Sequence, residues 1–225
     1  EGYVPMERMA GPDSEGGGPI DKASLKAVVF DCDGVIFDSR EANVRYYDHI
    51  LKTMGLPPVR RDQVEFVHMH ASDESLRELV GEGPALEEAL RLCRTLDYSP
   101  FKDGLECEPG LASLLERLRP SYRIGMATNR GASTHSLLEH FNIHMHFDLV
   151  VTTVDVQRPK PHPESMERIM EAFGTAPEEI LYIGDTKVDE DLALATGVYF
   201  TAYKNPDLKA HLHIGHFDEL SRILL

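Results

Sequence analysis

Three shortages frame this 225-residue sequence. No apolar run approaches the roughly 18 residues that a membrane-crossing helix needs, so no membrane span is expected. Cysteine is scarce: Cys32, Cys93 and Cys107 stand far apart and make no disulfide framework, which points to a reducing cytoplasm. Positive charge is outnumbered, with 23 lysines and arginines against 38 aspartates and glutamates and a formal net charge of −15. Such a surface favours solubility and excludes nucleic acid, whose phosphates ask for a basic partner. The order of a signal peptide is also missing from either end, as are internal repeats.

What is present is ordinary globular material. At 42% hydrophobic and 27% charged, the chain can bury a core as one large domain or two modest ones. Residues 1–24, with Gly11, Pro12, Gly16, Gly17, Gly18 and Pro19, read as a flexible tail without a role in the fold. The stretch GGGPIDKAS faintly echoes a phosphate loop, but Asp21 replaces the glycine before the lysine and no strand precedes it.

From Leu25 onward, five continuous apolar runs read as strands covered on both faces. They are KAVVF ending at Phe30, Tyr122–Thr128, Phe147–Thr153, Glu179–Asp185 and Gly197–Tyr203. Helical periodicity fills the gaps, with Pro109 suited to a first turn and Gly174 to a C-cap. Strand alternating with helix means a parallel sheet with right-handed crossovers. About ninety residues separate the first two strands, far more than a crossover helix needs. Four helical segments, Ser39–Met54, Arg61–His70, Asp73–Val80 and Pro84–Leu96, occupy that interval. The expected organisation is therefore an α/β core, 25–39 and 105–225, interrupted by an all-helical insert over 40–104, with hinges near Ser39 and at Ser99–Gly104.

Ligands of open parallel sheets bind beyond the carboxyl ends of the strands. The first run ends on Asp31 and Asp33, the second on Thr128 and Asn129, the fourth on Asp185, and Lys160 follows the third between two prolines. Converging carboxylates repel one another unless a cation sits among them. Oxygen ligands suit a hard divalent ion, and Mg2+ fits better than a dedicated calcium cage. Lys160 together with Thr128 and Asn129 would neutralise and orient a dianion such as phosphate. The pattern is that of a phosphoryl-transfer site. Cys32, between the two aspartates, should face into packing.

The motifs DCDGV, ATN, RPKPHP and IGDTKVD, in that order, resemble the four motifs of the haloacid dehalogenase superfamily from Leu25 to about Gly197. The resemblance implies a doubly wound, Rossmann-like sheet of order 5-4-1-2-3. It makes the helical insert similar to the cap of the phosphoglycolate phosphatase and β-phosphoglucomutase branch. It also implies roles. Asp31 is the nucleophile that forms an aspartyl-phosphate, and Asp33 is the general acid and base, for which a raised pKa is expected. The metal would be held by Asp31, Asp185 and the Asp33 carbonyl, with Asp189 behind them. Thr128, Asn129 and Lys160 bind phosphate. His68 and His70 fall where related caps contact substrate, and Asp38 is a helix or hinge anchor rather than a catalytic group.

The reading is thus a magnesium-dependent phosphatase acting, as monomer or homodimer, on a small phosphorylated metabolite of the phosphoglycolate kind. A mutase would need a cap residue to grip a second phosphate, commonly arginine; FVHMHASDESL offers none, and Asn43 stands where that branch's histidine is expected. Dehalogenases of the superfamily lack the second aspartate. A receiver domain lacks the insert, and the intact Asp31 and Asp33 argue against a catalytically silent relative.

Overall fold

A computed structural model describes residues 20–103 and 105–225. Its centre is strand β1 (Ala27–Phe30), in which every residue is buried. Alternate side chains of a strand point to opposite faces, and here each face finds a different apolar layer. Val28 and Phe30 enter one hydrophobic cluster, Ala27 and Val29 another. A strand covered on both sides needs no polar alternation, which is why AVVF is uniformly apolar.

On one side β1 pairs in parallel with β2 (Arg123–Ala127), which pairs with β3 (Leu149–Val151). On the other side it pairs with β4 (Ile180–Gly184), followed by β5 (Tyr199–Tyr203) and β6 (Leu212–Ile214), all parallel. The sheet order is β3-β2-β1-β4-β5-β6. Taken from the other edge, this is the expected 5-4-1-2-3 order with a sixth strand outside β5. That strand is three residues long and ends the sheet, too short to give a pattern of its own.

Helices cover both faces. α5 (Leu111–Leu118) buries Leu111, Leu114, Leu115 and Leu118, the i, i+3, i+4, i+7 set of one helical face. It packs with α9 (Phe217–Leu224) on the side that Phe30 faces. α7 (Glu164–Phe173) and α8 (Lys187–Thr196) cover the opposite side, and α6 (Ser133–His140) follows β2.

The helical cap comprises α1 (Arg40–Thr53), α2 (Val64–Met69), α3 (Ser72–Val80) and α4 (Pro84–Thr95). α2 is shorter than the periodicity predicts, because Arg60–Gln63 forms a turn closed by the Gln63 N–H on the Arg60 carbonyl. Tyr46, Ile50, Leu76, Leu86 and Tyr98 of the insert join the same cluster as Phe30. The two connections of the insert run side by side: Phe37 bridges Cys107, the Asp38 N–H donates to the Glu106 carbonyl at 3.3 Å, and the Glu108 N–H donates to Ile36 at 2.9 Å. Asp38 therefore sits where the first of these connections leaves the core.

Residues 1–19, most of the expected tail, lie outside the described residues, as does Gly104 at the second expected hinge. The end of the tail reading needs correction: Ile20 packs against the core cluster, and Ser24 Oγ donates to the Glu178 carbonyl at 3.1 Å. No helix among the described residues is long and apolar enough to cross a membrane.

Candidate active site

Asp31 immediately follows β1, its N–H still on the Ile183 carbonyl at 2.8 Å, so the sheet ladder fixes where its side chain begins. Its Oδ1 accepts the Cys32 N–H at 2.6 Å and lies 2.8 Å from Lys160 Nζ. Lys160 is 2% exposed; its ammonium also donates to Asp189 Oδ1 at 2.7 Å and to the Tyr182 hydroxyl at 3.0 Å. All three of its donors are thus engaged. Burial opposes that charge, yet Asp189 and Asp31 hold the ammonium well above the usual lysine range. Cys32 is fully buried in the apolar layer, turned to packing as expected.

Asp189 lies at the third position of α8 and closes a reciprocal cap with Thr186. Its Oδ1 accepts Tyr182 and Lys160; its Oδ2 accepts the Thr186 N–H at 3.1 Å and Thr186 Oγ1 at 2.6 Å. Burial would raise its pKa, but Lys160 and these donors bring it below the ordinary aspartate value. It is a carboxylate with both oxygens already employed, suited to holding Lys160 in place.

Asp185 follows β4 and presses on the turn after β1. Gly34 has φ +81, and a Cβ there would stand 2.1 Å from Asp185 Oδ2. Only glycine gives both the left-handed backbone and the room. The main chain of Asp185 is held by Asn205, whose amide donates to its carbonyl at 2.7 Å. Its Oδ1 is buried with no hydrogen-bond partner among the described residues. Asp31, Asp185 and Asp189 each offer an oxygen within 4.8 Å of the others. Burial first, and the neighbouring carboxylates next, push Asp31 well above the usual range; burial likewise raises Asp185.

This donor set fits a divalent cation. The one ammonium pairs with Asp31 and Asp189 and leaves Asp185 out, and a buried oxygen without a partner carries the desolvation penalty of an unmade bond. A hard ion bound through oxygen removes both costs.

Asp33 is placed differently. Its Oδ1 accepts Ser39 Oγ, Arg130 Nη1 and, at 3.4 Å, Asn43 Nδ2. Burial is the largest influence and would raise its pKa, but Arg130, His68 and the hydrogen bonds from Ser39 and Asn43 together hold the carboxyl below its ordinary value. This corrects the sequence expectation of a raised pKa. Arg130 was not singled out in the sequence, although it directly follows ATN. It is buried, its guanidinium carbon lies 4.3 Å from the centre of the Tyr98 ring, and its Nη2 is buried without a partner among the described residues.

Thr128 Oγ1 accepts the Arg130 N–H at 3.0 Å, which leaves the hydroxyl proton as a donor. The Asn129 side chain is otherwise engaged: Oδ1 accepts the Lys160 N–H at 2.8 Å, and Nδ2 donates to the Lys160 carbonyl at 3.0 Å and to Met69 at 3.3 Å. Asn129 therefore buckles the Lys160 segment to the end of β2, and its side chain is not free to grip an anion. That, too, differs from the sequence reading.

The cap histidines part company. The buried His68 ring reaches over the floor, Nε2 being 3.8 Å from Asp185 Oδ2. Burial lowers its pKa, but Asp185 and Asp33 outweigh this and raise it. His70 stacks on Phe66 at 3.9 Å and lines a separate cleft with Glu74 and Arg77 on the cap. The structure does not bring His70 to the carboxylates, because α2 ends at Met69 and the chain turns extended. The cavity holding Asp185, about 260 Å³, is bordered by Gly34, Arg40, Glu65, His68 and Lys204. Arg40 and Glu65 pair across its mouth, and Lys204 Nζ bonds both oxygens of Glu108 at 2.8 and 2.7 Å.

The sheet order, the strand-end carboxylates and the helical cap together define one class of enzyme. The profile of the haloacid dehalogenase-like hydrolases matches residues 28–203, and the chain belongs to that family. It is a hydrolase of the branch with a helical cap. Phosphoglycolate phosphatase of Salmonella typhi is 29% identical over 199 residues, covering 77% of this chain and 79% of the relative. A haloacid dehalogenase-superfamily hydrolase from Geobacter sulfurreducens, known as a crystal structure, is 36% identical with a TM-score of 0.78, covering 89% of this chain and 100% of its own. β-Phosphoglucomutase of Clostridium difficile shares the fold at a TM-score of 0.75, with 20% identity over 87% of this chain and 93% of its own.

Proposed function

We propose that this hydrolase is a magnesium-dependent phosphatase that cleaves a small phosphate monoester of the phosphoglycolate kind through an aspartyl-phosphate. The observation that carries the reading is the floor of the cleft: Asp31, Asp185 and Asp189 converge, Lys160 pairs with Asp31 and Asp189 alone, and one buried oxygen of Asp185 has no partner among the described residues. Mg2+ would be held by Asp31, Asp185 and the Asp33 carbonyl, with Asp189 behind; when bound it neutralises phosphate and carboxylate charge.

Each residue then has a task. Asp31 attacks phosphorus, the P–O bond to the leaving alkoxide breaks, and Asp33 gives that oxygen its proton. Asp33 next takes a proton from water, which attacks the phosphoryl group, and the bond to Asp31 breaks to release inorganic phosphate. An arriving dianion raises the proton affinity of Asp33, opposing the pull of Arg130. Thr128 Oγ1 and the main-chain N–H of Asn129 orient the phosphate oxygens, while Lys160, its donors engaged, offsets the charge of Asp31 and the phosphate. His68 is placed to meet the substrate from above. Asn43 cannot carry a proton and is bound into the network of Arg130 and Tyr98, which counts against a mutase.

In this reading the cap, 40–104, swings on its paired connections over the core, 25–39 and 105–225. The three free cysteines fit a cytoplasmic enzyme acting as monomer or homodimer. The test is a panel of phosphate monoesters assayed with Mg2+ and again after chelation. Turnover of a small monoester that vanishes with chelator and returns with Mg2+ is expected. No turnover of any ester, or turnover indifferent to chelation, would overturn the reading.

A further inference from the structure

We propose that Arg130 is a positioning residue through which the cap fixes the orientation of the Asp33 carboxylate, so that proton delivery to the leaving group depends on cap closure. The inference rests on the phosphatase reading and adds a residue to which the four motifs give no role.

The three hydrogen bonds found on the Asp33 carboxylate all end on one oxygen. Ser39, Asn43 and Arg130 converge on Oδ1, and no hydrogen bond to Oδ2 is found among the described residues. A carboxylate gripped on one side presents its other oxygen in one direction. That is the arrangement a group needs when a proton must pass at a defined atom.

The grip comes from both moving parts. Arg130 belongs to the core, placed by the turn after β2, where its Nε donates to Ser133 Oγ at 3.2 Å. Asn43 lies in the first turn of α1, and Tyr98 lies at the far end of the insert, 55 residues along the chain. Asn43 Oδ1 accepts both the Tyr98 hydroxyl at 3.0 Å and Arg130 Nη1 at 3.2 Å, while the Tyr98 ring lies against the guanidinium face. The two ends of the cap thus close on one cation, and that cation closes on Asp33. Planar, fork-shaped guanidinium suits this shared geometry where the point charge of an ammonium does not. Swinging the cap away removes Asn43 and the Tyr98 platform together and leaves Asp33 with fewer restraints.

The consequence is measurable in the leaving group. The ratio kcat/KM reports the steps up to phosphoryl transfer onto Asp31, in which an alkoxide needs a proton and a nitrophenolate does not. Arg130→Gln should therefore lower kcat/KM for the best alkyl monoester of the panel by about 10²-fold, the lower end of what a positioned acid contributes. For 4-nitrophenyl phosphate the same variant should stay within about threefold. Arg130→Lys should recover part of the alkyl rate, and Tyr98→Phe should show the same preference at about 3- to 10-fold. Thermal melting of each variant checks folding, and the two milder variants keep the test open where Arg130→Gln fails to fold. Equal losses on both esters, or an unchanged ratio in folded variants, would overturn the inference while leaving the phosphatase reading intact. Failure of the unaltered enzyme to cleave any ester would defeat the phosphatase reading instead.

Discussion

The floor and the roof of the cleft are built on opposite terms. On the floor, Asp31, Lys160 and Asp189 are buried, interlocked and carried by strand ends whose register the sheet dictates. On the roof, Arg40 and Glu65 leave 44% and 59% of their side chains exposed and pair with each other rather than with the floor. Buried charge is expensive and persists where something demands it; exposed pairs contribute little and are easily changed. The proposed phosphatase reading accordingly assigns the chemistry to the floor, and to the roof the discrimination among substrates that can be altered without dismantling it.

The largest effect that sharpens this contrast is Asp31→Asn. Loss of at least about 10³-fold in kcat is expected, because a nucleophile has no substitute. The melting temperature should hold or rise, since one of three crowded carboxylates loses its charge. Activity within tenfold of the parent enzyme, or collapse of the fold, would contradict the assignment of the floor to chemistry. Gly34→Ala comes next. Its Cβ would meet Asp185 Oδ2 at 2.1 Å on a backbone with φ +81. Stability should fall by about 1–3 kcal/mol, and the Mg2+ concentration for half-maximal activity should rise. An unaltered metal requirement would show that Asp185 is not held by this turn. The smallest effect is expected on the roof. Arg40→Gln should change stability by no more than about 0.5 kcal/mol and shift KM a few-fold with kcat preserved. A fall in kcat comparable to that of a floor substitution would erase the distinction.

The floor was also the part legible in the sequence. Asp31 and Asp185 stand at the ends of apolar runs, with Lys160 between two prolines after another, and a strand that stops on a carboxylate announces where that carboxylate must be. The order of the sheet came instead from the family resemblance that the motifs carry, while β6 is too brief to show a pattern. Arg130, Tyr98 and Glu108 were not legible, because their importance comes from what the folded insert brings to them. A tyrosine at position 98 has no visible relation to an arginine at 130 until the chain is folded. His68 and His70 illustrate the limit: two residues apart and identical, they separate because a helix ends between them. The side chain of Asn129 shows another, since a motif names the residue but not which of its groups is already in use.

The strand-like contact between Phe37 and Cys107 carries a consequence for how such a molecule can vary. The excursion that begins after Asp38 returns beside its own point of departure, so the sheet experiences it as a closed detour. Lengthening a loop whose ends already meet adds only slowly to its closure entropy. Variation is therefore tolerated in the detour itself: such an excursion can be lengthened, shortened or traded for another while the sheet beneath keeps its register.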